Sequence, residues 1–586
     1  MCGILALLSH KPIIGNYLKS QAIKSTQKLK HRGPDGTGIY QTKYACFAHT
    51  RLAIIDPTGG NQPFVNDSLI LCVNGEIFNY KELKNEYPEY NYKSKSDCEP
   101  IMAMYSALAQ NSTLSHSQIA SMIGKLDGQF SFILHDTNTD MVLVARDPFG
   151  ITQLYYGMTK DGIIQVASEM RVMEDCISVN VVPGGHYLYF DVKNPVIEST
   201  PYFQDTPDGT WLRQSSEGGS DGGSNGVCVY DYEPSGLLSE EEQNVLQNQI
   251  KTAFEDSVIK RLMADVPFGI LLSGGLDSSL VASVVVKYIR AHPEIYGEGV
   301  DIHTFSIGDK DSTDLPYARK VADFLGTKHH EIGFTVEDGM NAIPTIINNL
   351  ETYDITTIRA STPHYLLAQK IQSLGIKMVL SGEGSDEILG GYLYFHQAPT
   401  DEEHQLECKR RVLDLGYFDC LRADKSTMSN GLELRVPFLC SKFVKLCINI
   451  HKDVKTQNGI EKYILRKAFD IYENGIPVYL PSDVLWRQKE QFSDSITYRW
   501  IDTLRNDTDK EVRDKSLVAY NNREFLYPYN TPQTTEAFYY RQIFETLFPN
   551  REKTVKCWAP NTRWKGISST DPSGRVQSSH FNPLSQ

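Results

Sequence analysis

Three short stretches of this sequence bring together side chains able to do chemistry. The first is the start, MCGILALLSH, where a thiol follows the initiator methionine directly. Cys2 reads either as a small hydrophobe opening a first strand or as a nucleophile uncovered by removal of Met1. An unperturbed α-amine titrates near about 8 and a thiol near about 8.5, so a new N-terminal amine could take the thiol proton. The thiol could then attack a carboxamide and form a thioester. The second stretch is LLSGGLDSS. Gly274 and Gly275 let the backbone approach a phosphate, the turn amides and a following helix N-terminus favour its charge, and the serine hydroxyls add donors. Asp277 would repel a phosphate unless Mg²⁺ lies between them. With no lysine, this is not the GxxxxGK[ST] loop. The third is VLSGEGSDEILGG, which sets Glu383, Asp386 and Glu387 just past a strand end, placed to hold a metal or accept a proton. The plain alternatives are a glycine turn used for geometry and a solvated acidic loop.

These residues need elements to hold them. VPFGILL reads as a buried strand entering the phosphate loop, and SLVASVVVKYIR as the helix after it. DIHTFSIG and KMVLSGEG repeat the strand theme, so the second half alternates as a doubly wound parallel sheet with sites at the carboxyl ends of its strands. SEEEQNVLQNQIKTAFEDSVIKRLM is a helix with Ser239 as N-cap and Glu242 in capping-box position. To about residue 195 the pattern differs. LILCVNGEIFNY, GQFSFILHD, DMVLVARD and HYLYFDV are short strands bounded by Gly, Asp and Pro, with one amphipathic helix near 98–110. That is an α+β or sandwich pattern. WLRQSSEGGSDGGSNGVCVYDYEPSG between the halves reads as a flexible connection. The expected boundaries are a first domain at 2–195, a linker at 196–238, a second domain at 239–560 and a tail at 561–586.

A chain of 586 residues holds two or more domains. Its net charge of −14, with no basic run, argues against a nucleic-acid partner. Apolar stretches such as ILALL and VASVVV are too short to span a bilayer, and no signal-peptide pattern is present. Eleven scattered cysteines without a CxxC pair argue for a reducing compartment, with the cytosol as default, and against a disulfide framework or structural zinc.

SGGxDS between a strand and a helix resembles the signature loop of the ATP pyrophosphatases, which adenylate an oxygen of their substrate. MCGI, HRGPDG (31–36), TRLAIID (50–56), VNGEIFNY (73–80), SDCE (96–99), LDGQFSF (126–132) and ARDPFG (145–150) resemble, in order and spacing, class II glutamine amidotransferases. The two together are similar to the glutamine-hydrolysing asparagine synthetases. ETYDITTIRAST (351–362), SGEGSDE, GLELRVPFL (431–439), WRQKEQFSD (486–494) and a tail with TDPSGR carry the likeness over nearly the whole chain, the linker and last few residues excepted. The resemblance implies an α+β N-terminal-nucleophile glutaminase domain, a sandwich of β-sheets with flanking helices. An α/β doubly wound parallel-sheet ATP-pyrophosphatase domain would follow it.

The resemblance also implies roles. Cys2 is the nucleophile, Arg51 suits the glutamine α-carboxylate, and Leu52, Ala53, Ile54 and Ile55 continue the pocket wall. Glu76 and Asp97 suit the substrate ammonium; the Asn74 side chain and Gly75 amide suit the oxyanion. In the second domain Leu272 and Ile307 frame adenine by backbone contacts. Ser273, Gly274, Gly275 and Ser278 hold pyrophosphate, Asp277 and Asp386 hold Mg²⁺, and Ser381 and Gly382 line the nucleotide. Glu383 takes a proton from incoming ammonia. Arg359 and Lys462 suit aspartate or pyrophosphate charge, though a lone helical lysine is usually solvated. The family usually has an acid after RVPFL, where this chain has Cys440; that puts the loop's support in doubt more than the chemistry. The reaction implied takes glutamine, aspartate and ATP to asparagine, glutamate, AMP and pyrophosphate, with ammonia passing inside the protein. A related amidotransferase adenylating another carboxylate and a non-catalytic homologue are the rivals, and a homodimer is left open.

Overall fold

A computed structural model describes residues 1–110, 112–205, 211–213, 238–489 and 499–567. Most of the expected Gly/Ser linker, the EQFSD of WRQKEQFSD and the TDPSGR tail lie outside the described residues. The first half is a sandwich of two six-stranded antiparallel sheets. One runs, neighbour to neighbour, Cys176–Val181, Tyr155–Thr159, Ile164–Ala167, Gly3–Leu8, Ala45–Arg51 and Gly36–Gln41. The other runs Ser199–Pro201, His186–Asp191, Met141–Arg146, Gly128–Asp136, Leu69–Ile77 and Phe64–Asn66.

The opening strand GILALL shows no polar alternation because both of its faces are covered. Side chains alternate across a strand. Ile4, Ala6 and Leu8 meet Ile70, Cys72, Ile133 and Val144 of the opposing sheet. Leu5 and Leu7 face the other way, into the apolar cluster that also holds Leu18, Ala22 and Leu29 of the helix Tyr17–Leu29. That helix escapes a local reading. Its N-cap Asn16 makes no side-chain cap, and its buried positions Leu18, Ala22, Thr26 and Leu29 are separated by Lys, Ser and Gln. Only packing on the sheet makes it stable. The expected helix near 98–110 forms as Pro100–Ala109.

The sandwich runs past residue 195. Ser199–Pro201 pairs with the strand His186–Asp191, the buried Tyr202 donates to the Arg146 carbonyl at 2.6 Å, and Phe203 packs edge-on against Phe149. Two aromatic rings drew this segment out of the expected linker and into the core. At the other end the expected tail begins inside the second domain: Trp564 is buried and its Nε1 donates to Glu403 at 3.1 Å.

The second half is built on a five-stranded sheet, parallel throughout, in the order Lys328–Gly333, His303–Gly308, Phe268–Leu271, Met378–Leu380, Glu433–Arg435. The first strand of the series is central, with its successors placed on either side, so loops leaving neighbouring strands diverge at its carboxyl end and open a crevice there. The helix Glu240–Lys260 starts with the expected capping box between Ser239 and Glu242. Asp354 caps the helix Ile355–Ser373 by accepting from Thr357 N at 2.8 Å.

Cys440 occupies the N-cap position of the helix Ser441–Ile448 and supplies no side-chain hydrogen bond to it. An acid there would accept from the first-turn amides and face the nearby Lys260. We expect Cys440→Asp to stabilise the protein by about 0.5–2 kcal/mol, the usual worth of an N-cap. A thermal melt that falls instead would show that the buried position rejects a carboxylate.

Candidate active sites

The glutaminase-like site lies where strands of both sheets end. Cys2 leads into the strand Gly3–Leu8, Arg51 closes the neighbouring strand, and Asn74, Gly75 and Glu76 lie near the end of Leu69–Ile77. The Cys2 amide donates to Asn74 Oδ1 at 2.6 Å, and the Arg32 Nε donates to the Cys2 carbonyl at 3.0 Å. The thiol lies 3.9 Å from the Leu52 carbonyl. Asn74 Nδ2 is buried with no hydrogen-bond partner among the described residues. A buried donor left open is costly unless a ligand uses it, and an oxyanion beside Cys2 would. Gly75 has φ +141°, and a Cβ there would lie 2.0 Å from the Gln129 carbonyl, so no side chain fits. Burial pushes the Cys2 thiol up. A base is therefore needed, and Met1 here places its α-ammonium against Glu433 rather than leaving an amine on Cys2.

Glu76 and Asp97 come together as expected. Burial pushes both carboxyls up, and for Glu76 the neighbouring Asp97 adds to the effect. Such a pair favours a cation between them. Arg435 from the other domain approaches Glu76 at 3.3 Å. Leu52, Ala53 and Ile54 are buried and Ile55 is half-buried; the loop is pinned by Ala53 N donating to Asp35 at 2.8 Å. Arg51 is not the free fork that the sequence suggested. Its guanidinium donates to the Gly59 carbonyl at 2.6 Å, the Asp56 carbonyl at 2.6 Å and Asn61 Oδ1 at 3.0 Å. It shapes the loop from within, because a buried guanidinium seeks every acceptor in reach.

The second site is the crevice at the carboxyl edge of the parallel sheet. Leu272, Ser273, Gly275, Asp277, Ser278, Ile307, Ser381, Gly382, Glu383, Asp386 and Lys462 all line one cavity. Gly274 turns the loop behind them: φ is +82°, and a Cβ would lie 2.4 Å from Ala318 N. Ser273 and Ser278 join hydroxyls at 2.9 Å. Lys462 is buried and bridges the two acids, 2.6 Å from Asp277 and 2.6 Å from Asp386, so it is not a solvated lysine. Lys489 adds a contact to Asp386 at 2.7 Å. Burial works against the Asp386 carboxylate, yet Lys462 and Lys489 hold it well below the usual range.

Arg359 is not brought to this cavity. Its guanidinium forks onto Glu536 at 2.8 and 2.6 Å, and it is absent from the described lining. Four lining cations went unassigned in the sequence, Lys489, Arg487, Arg466 and Arg422; the first two lay in plain view within WRQKEQFSD. Arg422 carried no local signal. It contacts both Glu383 and Asp419 at 2.7 Å. No described group of three or more His, Cys, Asp or Glu forms a metal cluster. Two carboxylates on one cavity still suit Mg²⁺, which takes one or two of them and completes its shell with phosphate and water.

Profiles of two families match the chain: a glutamine amidotransferase domain over residues 1–212, and asparagine synthase over 249–411 and 398–570. The chain is 44% identical over 600 residues to a probable glutamine-hydrolysing asparagine synthetase of Dictyostelium discoideum, covering 99% of this chain and 100% of that one. It is 43% identical over 594 residues to glutamine-hydrolysing asparagine synthetase 1 of Lotus japonicus, covering 98% and 93%. The chain belongs to the asparagine synthase family.

Within this asparagine synthase fold the acidic turn sorts its carboxyls by environment. Burial pushes Glu383 up against the pull of Arg422, a condition suited to a proton acceptor. Burial, Asp419 and Asp386 push Glu387 up to about 8, and Tyr392 donates to it. Glu387 therefore favours its protonated form more than an ordinary carboxyl does. An acid whose folded pKa exceeds its ordinary 4.5 adds stability fully present below that value and lost as pH rises through about 8. Glu387→Gln, which stays neutral, should raise the melting temperature more at pH 8.5 than at pH 5. A gain that does not vary with pH would show that Glu387 is ionised throughout.

Proposed function

We propose that this protein makes asparagine from aspartate, drawing nitrogen from the glutamine amide and energy from ATP. The observation that carries the reading is Asn74 Nδ2, a buried donor without a described partner beside the only residue that can become an N-terminal thiol. With Met1 removed, the Cys2 amine takes the thiol proton and sulfur attacks the glutamine amide carbonyl. Asn74 Nδ2 and the Gly75 amide receive the developing oxyanion. Glu76 and Asp97 hold the substrate ammonium, whose charge offsets their mutual repulsion. The loop shaped by Arg51 forms the wall. The adduct collapses to the thioester as the Cys2 ammonium gives its proton to the departing ammonia, and water then hydrolyses the thioester to release glutamate.

In the second site the loop from Ser273 to Ser278 cradles pyrophosphate, with Leu272, Ile307, Ser381 and Gly382 around the nucleoside. Asp277 and Asp386 would hold Mg²⁺, which supplies charge neutralisation at the phosphates when bound. Lys462 releases one of its two carboxylates to meet phosphate or aspartate charge. Aspartate's β-carboxylate oxygen attacks the α-phosphorus of ATP, giving β-aspartyl-AMP and releasing pyrophosphate in the loop from Ser273 to Ser278. Ammonia, delivered inside the protein, then displaces AMP while Glu383 accepts a proton. A dry route matters because ammonium has no lone pair for attack. No described helix is long and apolar enough to cross a membrane, and all ten described cysteines are free, which suits a reducing compartment such as the cytosol.

The test uses purified protein with ATP, Mg²⁺, aspartate and amide-¹⁵N glutamine. Asparagine carrying ¹⁵N should appear with AMP, and the intact mass should lack Met1. Active protein that retains Met1 would defeat the nucleophile assignment. Cys2→Ala should abolish glutamine-dependent synthesis and keep synthesis from ammonium. Asp277→Asn should lose both; near-normal AMP formation in it would remove the phosphate-site role.

A further inference from the structure

The two sites are joined by one short helix. Asp419–Met428 is 10 residues long, and every residue from Cys420 to its end is buried. Arg422 reaches one way, to Glu383 in the synthetase cavity and to Asp419, both at 2.7 Å. Asp424 reaches the other way, to Arg32 Nη2 of the glutaminase domain at 2.7 Å, and accepts from Gln153 N at 3.2 Å. Residues two apart on a helix point to opposite faces, so this pair spans the helix like an axle. Arg32 is fully buried and uses each nitrogen once: Nη2 on Asp424, Nη1 on Glu169 at 3.3 Å, and Nε on the Cys2 carbonyl at 3.0 Å. Lys425, next along, ties the helix to Tyr155 at 2.9 Å and to Glu351.

We propose that the helix Asp419–Met428 couples the two active sites, with Asp424 as the positioning residue through which the synthetase site sets the backbone at Cys2. The inference rests on the function proposed above. A guanidinium is a rigid plane, so a shift at Asp424 turns the whole fork of Arg32 and carries the Cys2 carbonyl with it. Once Met1 is gone, Cys2 has no chain on its amino side; its grip is Asn74 on the amide side and Arg32 on the carbonyl. At the far end Arg422 divides one nitrogen between Glu383 and Asp419. When Glu383 takes up a proton its charge disappears, and Arg422 turns toward Asp419. A helix buried along its length answers by moving as a body, because packed interiors do not deform smoothly. The charge state of Glu383 therefore biases the seat of the nucleophile, and occupancy at Cys2 biases Arg422 in return.

The coupling is read as the factor by which saturating ATP and aspartate change kcat/KM for glutamate release from glutamine. In the wild type we expect a change of about fivefold or more, the lower end of usual coupling strengths. Asp424→Asn, which keeps shape and loses charge, should bring that factor to about one. An unchanged factor in the variant, or a wild-type factor of one, overturns the inference. Loss of ammonium-dependent synthesis in the same variant also overturns it, since the helix would then be only a strut. A second measurement needs no variant: amide hydrogen exchange across 419–428 in wild-type protein before and after Cys2 is capped by a glutamine-like alkylating agent. Exchange there should change; exchange that stays the same overturns the proposal. Wild-type protein unable to release glutamate or to use ammonium would defeat the functional reading itself, whereas intact half-reactions with unaltered coupling defeat this inference alone.

Discussion

The carboxylates of both sites are buried or half-buried, and the structure depends on delivering a cation to most of them. Asp277 and Asp386 share Lys462, with Lys489 behind; Glu383 has Arg422; Glu76 has Arg435; Asp424 has Arg32. An unpaired buried charge is far more costly than a paired one, so these partners cannot be moved one at a time. Arg435 and Arg32 make their pairs across the boundary between the halves. The two domains therefore share the electrostatic support of both sites, and neither half carries its site alone.

The strand Glu433–Arg435 shows how closely the halves are joined. It is the edge of the nucleotide sheet, and its Arg435 carbonyl accepts from Ser381 N at 2.9 Å. Its Leu434 carbonyl accepts from Gln129 Nε2 at 3.0 Å, on the strand facing Glu76. Its Glu433 holds the Met1 ammonium. Covering a sheet edge with another domain removes an exposed row of backbone groups. The same three residues thereby connect Ser381, which lines the nucleotide crevice, with Met1 beside the thiol.

Both sites follow one design rule in different architectures. Chemistry is placed where strands stop, because the backbone there has left the ladder and offers free amides. Glycines appear where two chains must nearly touch. Gly382 brings its loop onto the phosphate loop, where a Cβ would lie 2.6 Å from Ser278 N. The acidic turn then separates function by surroundings. Asp386, between two lysines, is held below the usual carboxyl range, while Glu387, buried beside Asp419 and Asp386 and bonded to Tyr392, is pushed above it.

The sequence by itself determined the two domain types, the strand–loop–helix around SGGLDSS, the capping box at Ser239 and the acidic turn after Leu380. Each depends on residues close together in the chain, where propensity, period and turn chemistry act. Family-like motifs extended that reading to residues such as Asn74 and Lys462. Tertiary structure alone decided the rest. It turned Arg51 into the brace of its own loop and gave Arg359 to Glu536, because a guanidinium goes to whichever acceptors surround it in space. It drew Tyr202 and Trp564 into cores beyond the expected boundaries, because an aromatic ring is placed by the cavity that receives it. It also set Arg422 and Asp424, ordinary letters of one helix, between a carboxyl and a thiol more than 380 residues apart in the chain (Glu383 and Cys2). Those partners lie far away in sequence, and only folding brings their charges within reach.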